Sequence, residues 1–398
     1  MKKQTDIKIP KGFLFSVTEA AIKKPGRKDL GLICSYAEAA VAGTFTTNLV
    51  KAAPVRVCMK KIGSGKGQAF IVNSGNANAA TGRQGLKDAN DTVKGISDLL
   101  GISPSLTYVC STGVIGTPMP MQRIMPALVK LVTDLDKATI EDVAAAIMTT
   151  DTFPKIVSKQ IRLQGRTGTI TGICKGAGMI APNMATMLCF IITDIAVEKK
   201  ALSAALKSSV GKSFNRITID GDRSTNDTAL IMANGEAGNK PITKTSDGFA
   251  SFRKALDGLT WELSKLIVQD GEGATKYVEV LVRNAANMAD AEKAAFAIAN
   301  SSLVKTAIYG NDANWGRIIA AAGYSGARFI PEKADIFFNR VQVVKNGIMN
   351  NRDREATREM SGKELLITVD LHAGKASAKV LTCDMTEDYI RINAEYRT

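Results

Sequence analysis

The stretch that most constrains this chain is a pair of apolar runs joined by a connector of small residues. Alternating residues over 169–174 predict one β-strand, and the almost wholly apolar run 187–192 predicts a second. The connector between them is rich in Gly and Ala and contains Pro182. Glycine permits backbone geometry that other residues resist, whereas proline fixes one φ angle and removes one donor. A constrained turn is therefore expected to lead directly into a buried strand.

Thr186 stands where this connector meets the second strand, with the small residue Ala185 before it. A hydroxyl in that position is a candidate nucleophile, but it needs a base. The chain has one histidine, His372, in a distant strand-like run, which disfavours a Ser-His-Asp triad. The remaining base is the residue's own α-amine, which titrates near neutral pH and exists only if the 185–186 bond is cut. The same hydroxyl could cut that bond by attacking the Ala185 carbonyl.

The commoner interpretation of such a stretch is structural. Most connectors rich in Gly and Pro only join two core strands, and the threonine would then be an ordinary buried residue. The residues alone leave both interpretations open.

Other short motifs carry less weight. Gly176-x-Gly178 after a strand resembles the first half of a dinucleotide fingerprint, but two strands flank it and leave no room for the crossover helix. Asp220, Asp222 and Ser224 resemble a calcium loop, but the glycine and the final glutamate of that loop are absent. A turn held by side-chain caps is favoured there.

Composition is typical of a soluble globular protein, and the net positive charge favours anionic ligands. The 398 residues carry a net charge of +14, but Lys and Arg are scattered and only 6% of residues are aromatic, which disfavours a nucleic-acid partner. The six cysteines form no C-x-x-C pair, so a metal site and disulfides are not expected. The N-terminus has no signal-peptide pattern and no apolar run is long enough to span a membrane, so we expect a cytoplasmic location.

Strand and helix patterns alternate along the chain and predict an α/β fold. The clearest helix covers residues 247–268, where apolar residues follow helical spacing. We also expect a strand over 216–219 and a helix over 291–299 with Asp290 as its N-cap. No linker interrupts the sequence, so no independent domain boundary is expected.

The motif Lys175-Gly-x-Gly-Met-Ile-x-Pro-Asn-Met-Ala-Thr186-Met-Leu resembles the self-cleavage signature of the ornithine acetyltransferase family, also called glutamate N-acetyltransferase. Further segments are similar to the family in the same order, and together they cover essentially the whole chain. They include Ser111-Thr-Gly-Val-Ile-Gly116, Thr149-Thr-Asp-Thr152, Asp220-Gly-Asp-x-Ser-Thr-Asn-Asp-Thr228 and Asp270-Gly-Glu-Gly-Ala-Thr-Lys276.

The resemblance implies a role for particular residues. Cleavage would divide the chain into an alpha fragment, 1–185, and a beta fragment, 186–398, which begins with the nucleophile. Thr112 and Gly113 would form the oxyanion hole, since a hydroxyl and an unhindered N–H suit a tetrahedral intermediate. The implied substrate contacts are Thr152, Lys175, Thr186, Glu272, Asn393 and Thr398.

The resemblance further implies a layered α/β sandwich of interleaved strands and helices, formed by the two fragments and assembled from two copies of each. The expected activity is ping-pong transfer of acetyl from N2-acetylornithine to glutamate through acetyl-Thr186, in arginine biosynthesis, without a metal or bound cofactor. The sequence leaves open whether acetyl-CoA is also a donor. The alternatives are a self-processing hydrolase or aminopeptidase of related architecture and a basic, non-catalytic binding protein.

Overall fold

A computed structural model describes residues 7–163, 165–181 and 187–395 of the chain. These residues form two compact units, each built from segments that are not contiguous in sequence. The first comprises Met1–Gly176, Asn183–Asn215 and Arg223–Ile267, and the second comprises Ala177–Pro182, Arg216–Asp222 and Val268–Thr398. No single linker separates the two units, because each contains segments from several parts of the chain. The division into fragments 1–185 and 186–398 stays a prediction.

The first unit is a mixed sheet covered by helices. Its strands are β1 (Phe13–Thr18), β2 (Leu30–Phe45), β3 (Lys66–Asn76), β4 (Thr107–Val114), β5 (Lys155–Leu163), β6 (Arg166–Lys175), β7 (Leu188–Thr193) and β8 (Thr228–Ala233). Its helices are α1 (Ala53–Lys61), α2 (Gly82–Leu100), α3 (Met121–Thr133), α4 (Ile140–Ala146), α5 (Lys199–Lys212) and α6 (Gly248–Gln269), the last of which ends in the second unit.

The sheet of this unit has the strand order β4-β3-β2-β8-β7-β6-β5, with β1 also paired to β2. The long strand β2 pairs with β1 through its first half and with β8 through its second, and its register against β3 shifts between Cys34 and Ala39. Phe70 on β3 and Phe190 on β7 nevertheless have ring centroids only 5.9 Å apart. In a flat sheet β3 and β7 would be about 14 Å apart, so the sheet folds over on itself.

Alternating side chains assign the two faces of this folded sheet. On β3, Phe70 joins the core that lies between the two halves of the sheet, whereas Ile71 joins a second core with α2 and α3. On the other half, an added Cβ at Gly172 of β6 would lie within 3 Å of Leu259 and Leu263, so α6 packs closely on that outer face. The layers therefore run helix, sheet, sheet, helix, and the predicted α/β layered sandwich is confirmed.

The second unit is a smaller mixed sheet. Its strands are β9 (Tyr277–Ala285), β10 (Asp335–Phe338), β11 (Val341–Lys345), β12 (Ile348–Met349), β13 (Glu364–Asp370) and β14 (Ala376–Cys383). Its helices are α7 (Met288–Asn300), α8 (Ser302–Tyr309), α9 (Trp315–Tyr324), α10 (Asp353–Glu359) and α11 (Glu387–Ala394). The strand order is β12-β11-β10-β13-β9-β14, and alternate valines of β9 share one core with the alanines of α7.

Two local predictions were wrong. The expected strand over 216–219 is instead a short 3₁₀ turn, Phe214–Arg216, followed by a single β-bridge from Ile217 to Leu381. The expected N-cap Asp290 lies inside α7, because Asn287 caps that helix by accepting a hydrogen bond from the Asp290 N–H. Among the helices in the described part of the chain, none is both long and apolar enough to cross a membrane.

Candidate active site

The predicted site residues fall into two groups, one in each unit. Thr112, Gly113, Thr152 and Lys175 belong to the first unit, whereas Glu272 and Asn393 belong to the second. The predicted cleavage site, Ala185 and Thr186, and the predicted substrate contact Thr398 lie outside the described residues.

In the first unit, Thr112 and Gly113 lie at the end of β4, opposite Ser74 and Gly75 of the parallel strand β3. Gly113 has a φ of 134°, and an added Cβ would lie 2.2 Å from the backbone carbon of Gly75. Backbone atoms cannot yield as a flexible side chain can, so only glycine fits. The predicted oxyanion pair therefore lies in a backbone conformation that only a glycine at position 113 can adopt.

Asn226 holds the end of β4 in place. Its side-chain amide donates to the Ser111 carbonyl at 2.8 Å and to the Ala77 carbonyl at 2.7 Å. The Ser111 hydroxyl in turn donates to the side-chain oxygen of Asn73. These are buried hydrogen bonds, and buried, fully satisfied polar groups fix the position of a backbone segment.

The next residue, Asp227, holds the start of β7. The parallel register of β7 and β8 pairs Leu188 with Thr228, so the residues before them are neighbours. The Met187 N–H donates to Asp227 Oδ1 at 3.1 Å, and the Thr228 N–H donates to the Met187 carbonyl at 3.1 Å. Met187 directly follows the predicted nucleophile Thr186 in the chain.

Asp227 is completely buried, and its Oδ2 has no hydrogen-bond partner among the residues that the structure describes. Burial raises the pKa of this carboxyl well above its usual value, and the hydrogen bond from Met187 and the charge of Lys175 only partly oppose the effect. A buried carboxyl that resists ionisation and binds Met187, the residue after Thr186 in the sequence, is a candidate acid–base group.

Lys175 is the last residue of β6 and pairs with Leu188 of β7. Its ammonium lies 3.9 Å from Asp151 Oδ2, and the other oxygen of Asp151 accepts from Lys155 at 2.7 Å and from the Gly176 N–H at 2.6 Å. Burial of Asp151 opposes ionisation, but the two lysine charges and these hydrogen bonds outweigh it and lower the pKa of the carboxyl. Two buried cations thus share one carboxylate.

Thr152 follows Asp151 directly, in the loop between α4 and β5, and is exposed. Of the predicted substrate contacts, Lys175 thus lies 3.9 Å from Asp151, and Thr152 is the next residue in the sequence. An ammonium and a hydroxyl are both groups that bind a carboxylate-bearing ligand.

In the second unit, Glu272 and Asn393 are brought together. The Asn393 side-chain amide donates to Glu272 Oε2 at 2.8 Å, and the Glu272 N–H donates to the Ala177 carbonyl at 2.8 Å. An added Cβ at Gly178 would lie 2.2 Å from Glu272 Oε2. The glycine of the connector therefore makes room for the Glu272 carboxylate.

Asp220 anchors the described end of the connector in the same unit. Its carboxylate accepts from the N–H groups of Met179 and Ile180 and from that of Asp222. The predicted turn of side-chain caps is therefore present at this motif. Burial raises the pKa of Asp220, and the same carboxyl accepts from the Tyr389 hydroxyl at 3.3 Å.

The remaining candidates for acid–base or metal chemistry lie elsewhere. His372 is 43% exposed and lies 3.0 Å from Asp335, and no hydroxyl of the described residues hydrogen-bonds to its ring. All six cysteines are buried. Within the described ranges, no group of three or more His, Cys, Asp and Glu side chains is placed to hold a metal ion.

Sequence reasoning gave no role to Asp151, Asn226 or Asp227. A signal was present, because Asn226 and Asp227 stand directly before the apolar run 228–233, as Thr186 stands before the apolar run of β7. Polar residues at the start of a buried strand lie close to the residues at the same end of the neighbouring parallel strand.

Comparison with known proteins gives a consistent result. The model of a family described as the ArgJ family matches residues 14–398. Two similar curated proteins are both named arginine biosynthesis bifunctional protein ArgJ. The one from Geobacter sulfurreducens is 54% identical, and the match covers 98% of this chain and 99% of that protein. The one from Caldanaerobacter subterraneus is 48% identical, and the match covers 98% of this chain and 98% of that protein. A crystal structure of the protein of that name from Bacillus halodurans is 44% identical, with a TM-score of 0.50, and covers 52% of this chain and 97% of the solved chain.

The match extends over nearly the whole length of both curated relatives, so it does not rest on one shared motif. The predicted family, and with it an enzyme of arginine biosynthesis, is confirmed. The chain belongs to the ArgJ family.

Proposed function

We propose that this chain cuts itself between Ala185 and Thr186 and then transfers an acetyl group from N2-acetylornithine to glutamate. The observation that carries the proposal is the register of three adjacent strands, in which Lys175 pairs with Leu188 and Leu188 with Thr228. This register brings the end of β6, the start of β7 and the start of β8 to one sheet edge. Met187, which directly precedes β7 and follows Thr186 in the sequence, is buried there and bound to Asp227.

Self-cleavage has support from a relative. The solved chain from Bacillus halodurans is covered almost completely, at 97%, yet it matches only 52% of this chain, so it is little more than half as long. The curated relatives match at nearly full length. A family member that is crystallised as a half-length chain fits division into fragments 1–185 and 186–398.

The proposed transfer proceeds through a covalent ester. The α-amine of Thr186 takes the proton of its own hydroxyl, and the oxygen attacks the acetyl carbonyl of N2-acetylornithine. Thr112 and Gly113 stabilise the oxyanion. The amide bond breaks as the proton passes to the leaving nitrogen, so ornithine departs and acetyl-Thr186 remains. Glutamate then attacks the ester through its amine and leaves as N-acetylglutamate.

The other predicted residues have matching chemistry. Lys175 and Thr152 would contact the substrate α-carboxylate, because a buried ammonium and a hydroxyl both favour that group. Glu272 and Asn393 would bind the amino end of ornithine, and Thr398 would be a further substrate contact. No metal or bound cofactor is required, since the covalent intermediate divides the difficult step into two easier ones.

We further infer that acetyl-CoA can load the same threonine. The curated relatives are named bifunctional, and an acetyl-Thr186 ester is indifferent to the donor that formed it. Acetyl transfer from acetyl-CoA to glutamate in the absence of N2-acetylornithine would test this second activity.

Assembly and location remain predictions. We propose an assembly of two alpha and two beta fragments in the cytoplasm, with small-molecule substrates and neither a nucleic-acid nor a membrane partner. The native mass of the purified protein, compared with the masses of its denatured fragments, tests the assembly.

The deciding experiment compares wild-type protein with Thr186→Ala by denatured mass and N-terminal sequencing. Wild type should give two fragments, the second beginning Thr-Met-Leu-Cys, and should gain one acetyl group on that fragment when N2-acetylornithine is added. The variant should stay uncut and gain none. An acetylated variant would refute the nucleophile assignment.

A hydrolase would be distinguished by the acceptor. A transferase forms product only when glutamate is present, whereas a hydrolase releases acetate at the same rate with or without it. Acetate release that is independent of glutamate would replace this proposal with the hydrolase alternative.

A further inference from the structure

The helix α11, which carries Asn393, has little hydrophobic anchorage. All eight of its residues, Glu387–Ala394, are described, and none of them is buried. A helix this short is marginal by itself, and in most proteins the support comes from burial of an apolar face. The position of Asn393 therefore depends largely on the polar contacts that hold α11.

The hydroxyl of Thr386 makes one of these contacts at the start of the helix. As the N-cap of α11 it accepts a hydrogen bond from the Tyr389 N–H at 3.3 Å, and it donates to the Gly273 carbonyl at 2.7 Å. Gly273 directly follows Glu272 in the sequence. One buried hydroxyl thus joins the first turn of α11 to the loop that carries Glu272.

The conformation of Gly273 shows how closely this loop approaches the helix. Its φ is 66°, and an added Cβ would lie 2.6 Å from the Tyr389 nitrogen and 2.8 Å from the Thr386 hydroxyl oxygen. Only a glycine allows a backbone to approach a helix terminus so closely in this conformation. The loop and the first turn of α11 are therefore in direct contact.

Asp384, two residues before Thr386, holds the following residues of the same loop. Its Oδ1 accepts from the N–H groups of Thr275 at 2.9 Å and Lys276 at 3.0 Å, and its Oδ2 accepts from the Thr275 hydroxyl. The Asp384 side chain is buried. Buried, satisfied hydrogen bonds of this kind fix a backbone segment, so the loop cannot shift along α11 without breaking them.

The second contact of α11 with this loop is made by Asn393. Its side-chain amide donates to the Tyr389 carbonyl at 3.0 Å and to Glu272 Oε2 at 2.8 Å. Thr386 and Asn393 are about 10 Å apart along the helix axis, since each helical residue adds about 1.5 Å. A displacement of the helix at Thr386 would therefore move Asn393 relative to the Glu272 carboxylate.

We propose that Thr386 is a positioning residue for substrate binding, because it docks α11 so that Asn393 can orient the Glu272 carboxylate. The inference rests on the proposed function, in which Glu272 and Asn393 bind the amino end of ornithine. Thr386 acts through that pair and not on the substrate directly. The motif resemblance gave it no role.

The test compares Thr386→Val with Thr386→Ser in the full-length protein, with N2-acetylornithine as the varied substrate and glutamate as the acceptor. Valine keeps the shape of threonine but removes the hydroxyl, so the KM for N2-acetylornithine should rise about three-fold with little change in kcat. Serine keeps the hydroxyl and should keep the wild-type KM. A wild-type KM in Thr386→Val would overturn the inference.

A double variant shows whether Thr386 acts through Asn393. In an Asn393→Ala background, Thr386→Val should raise the KM no further, because the contact that Thr386 supports is already absent. A KM that rises by the product of the two single effects would show that Thr386 acts independently of Asn393, and it would overturn the inference.

The matched control is Thr139→Val. Thr139 is the N-cap of α4, and its hydroxyl accepts from the Asp142 N–H at the same 3.3 Å. This variant loses a comparable helix cap and should keep the wild-type KM. An equal rise in KM in both valine variants would mean that the loss of any cap has this effect, which contradicts a positioning role for Thr386.

A measurement on Asn393→Ala keeps the inference testable if Thr386→Val does not fold. Because both residues dock the same helix, loss of the Asn393 contact should speed hydrogen exchange of the Tyr389 N–H by about three-fold. The Asp290 N–H, which Asn287 caps at 2.9 Å in α7, is the internal reference and should not change.

Unchanged exchange of the Tyr389 N–H in Asn393→Ala would overturn the inference and leave the proposed function intact. A wild-type protein that transfers no acetyl group from N2-acetylornithine to glutamate would overturn the proposed function and, with it, this inference.

Discussion

The side-chain amide of Asn393 donates a hydrogen bond to Glu272 at 2.8 Å, although 121 residues separate them in the sequence. Glu272 is almost fully buried, and α11 supplies Asn393 close to the end of the chain. A carboxylate held in this way is oriented before any ligand arrives, which lowers the entropic cost of binding.

We expect Glu272→Gln to raise the KM for N2-acetylornithine by about 10- to 100-fold with a smaller change in kcat, because hydrogen bonds to charged groups contribute about 1.5–3 kcal/mol. Asn393→Ala should raise the KM by about five-fold, since it removes one partner and leaves the charge in place. Steady-state kinetics measure both effects. Glu359→Gln is the control, because the exposed Glu359 also accepts a hydrogen bond from an asparagine side chain, that of Asn339, at 3.1 Å. Equal effects of the two Gln substitutions on KM would contradict a specific role of Glu272 in substrate binding.

Gly113→Ala should lose transfer activity and destabilise the protein, because the new Cβ would lie 2.2 Å from the backbone of Gly75. Gly116 is the matched control: its φ is 82° and an added Cβ would meet nothing within 4 Å. Gly116→Ala should therefore cost only the conformational penalty of about 1–2 kcal/mol. Urea unfolding and initial rates of both variants check the difference, and equal losses of stability would show that the close contact is not decisive.

Asp151→Asn should destabilise the folded chain by about 3–5 kcal/mol at pH 7, since it leaves Lys155 and Lys175 buried without their shared carboxylate. The folded pKa of Asp151 is lowered, so its stabilising contribution is complete above the unfolded value near 3.9 and is lost as pH falls through the folded value. Urea unfolding from pH 7 down to pH 3 should show the difference between wild type and variant shrinking only at the acid end. Asp98→Asn, in an exposed pair with Lys94, should have no measurable effect.

Asp227 should give the opposite pH dependence. Its folded pKa is raised, so the unfolded chain releases this proton at a lower pH than the folded chain does. Unfolding is therefore favoured as pH rises from about 4 through the folded pKa, and wild type should lose stability relative to Asp227→Asn over that range. Urea unfolding at several pH values measures the difference. A difference that is independent of pH would mean that the carboxyl titrates normally in the folded state.

Much of the fold was predictable where one face of an element is buried. The pattern over 247–268 predicted α6 to within a residue at each end, and the runs on either side of the connector predicted β6 and β7. The predicted strand over 216–219 was wrong, because Ile217 makes a single β-bridge to Leu381. A short apolar run does not reveal whether it will pair with a neighbouring strand over its whole length. The residue pattern also could not reveal that Asn287 rather than Asp290 caps α7, since both residue types are good N-caps.

Site residues were predictable only where they belong to a recognisable sequence motif. Thr112, Gly113, Lys175 and Glu272 came from a motif resemblance, and the structure adds what holds them. The contact of Asp227 with Met187 depends on the parallel pairing of β7 with β8, which brings together residues 40 positions apart. Such a register is a property of the folded sheet, so no local pattern could have given it.

The position of β7 within its sheet has a consequence for the fate of the two fragments. β7 is hydrogen-bonded on one side to β6, which precedes the proposed cut, and on the other to β8, which follows it. The cut would thus create a new terminus in the middle of a sheet, and the halves could separate only by breaking that sheet along its length. If the chain is cut there, the amino-terminal fragment would not be a leader discarded after maturation, because each fragment would supply strands that pair with strands of the other. Two separately encoded fragments would then have to fold together to give a working protein.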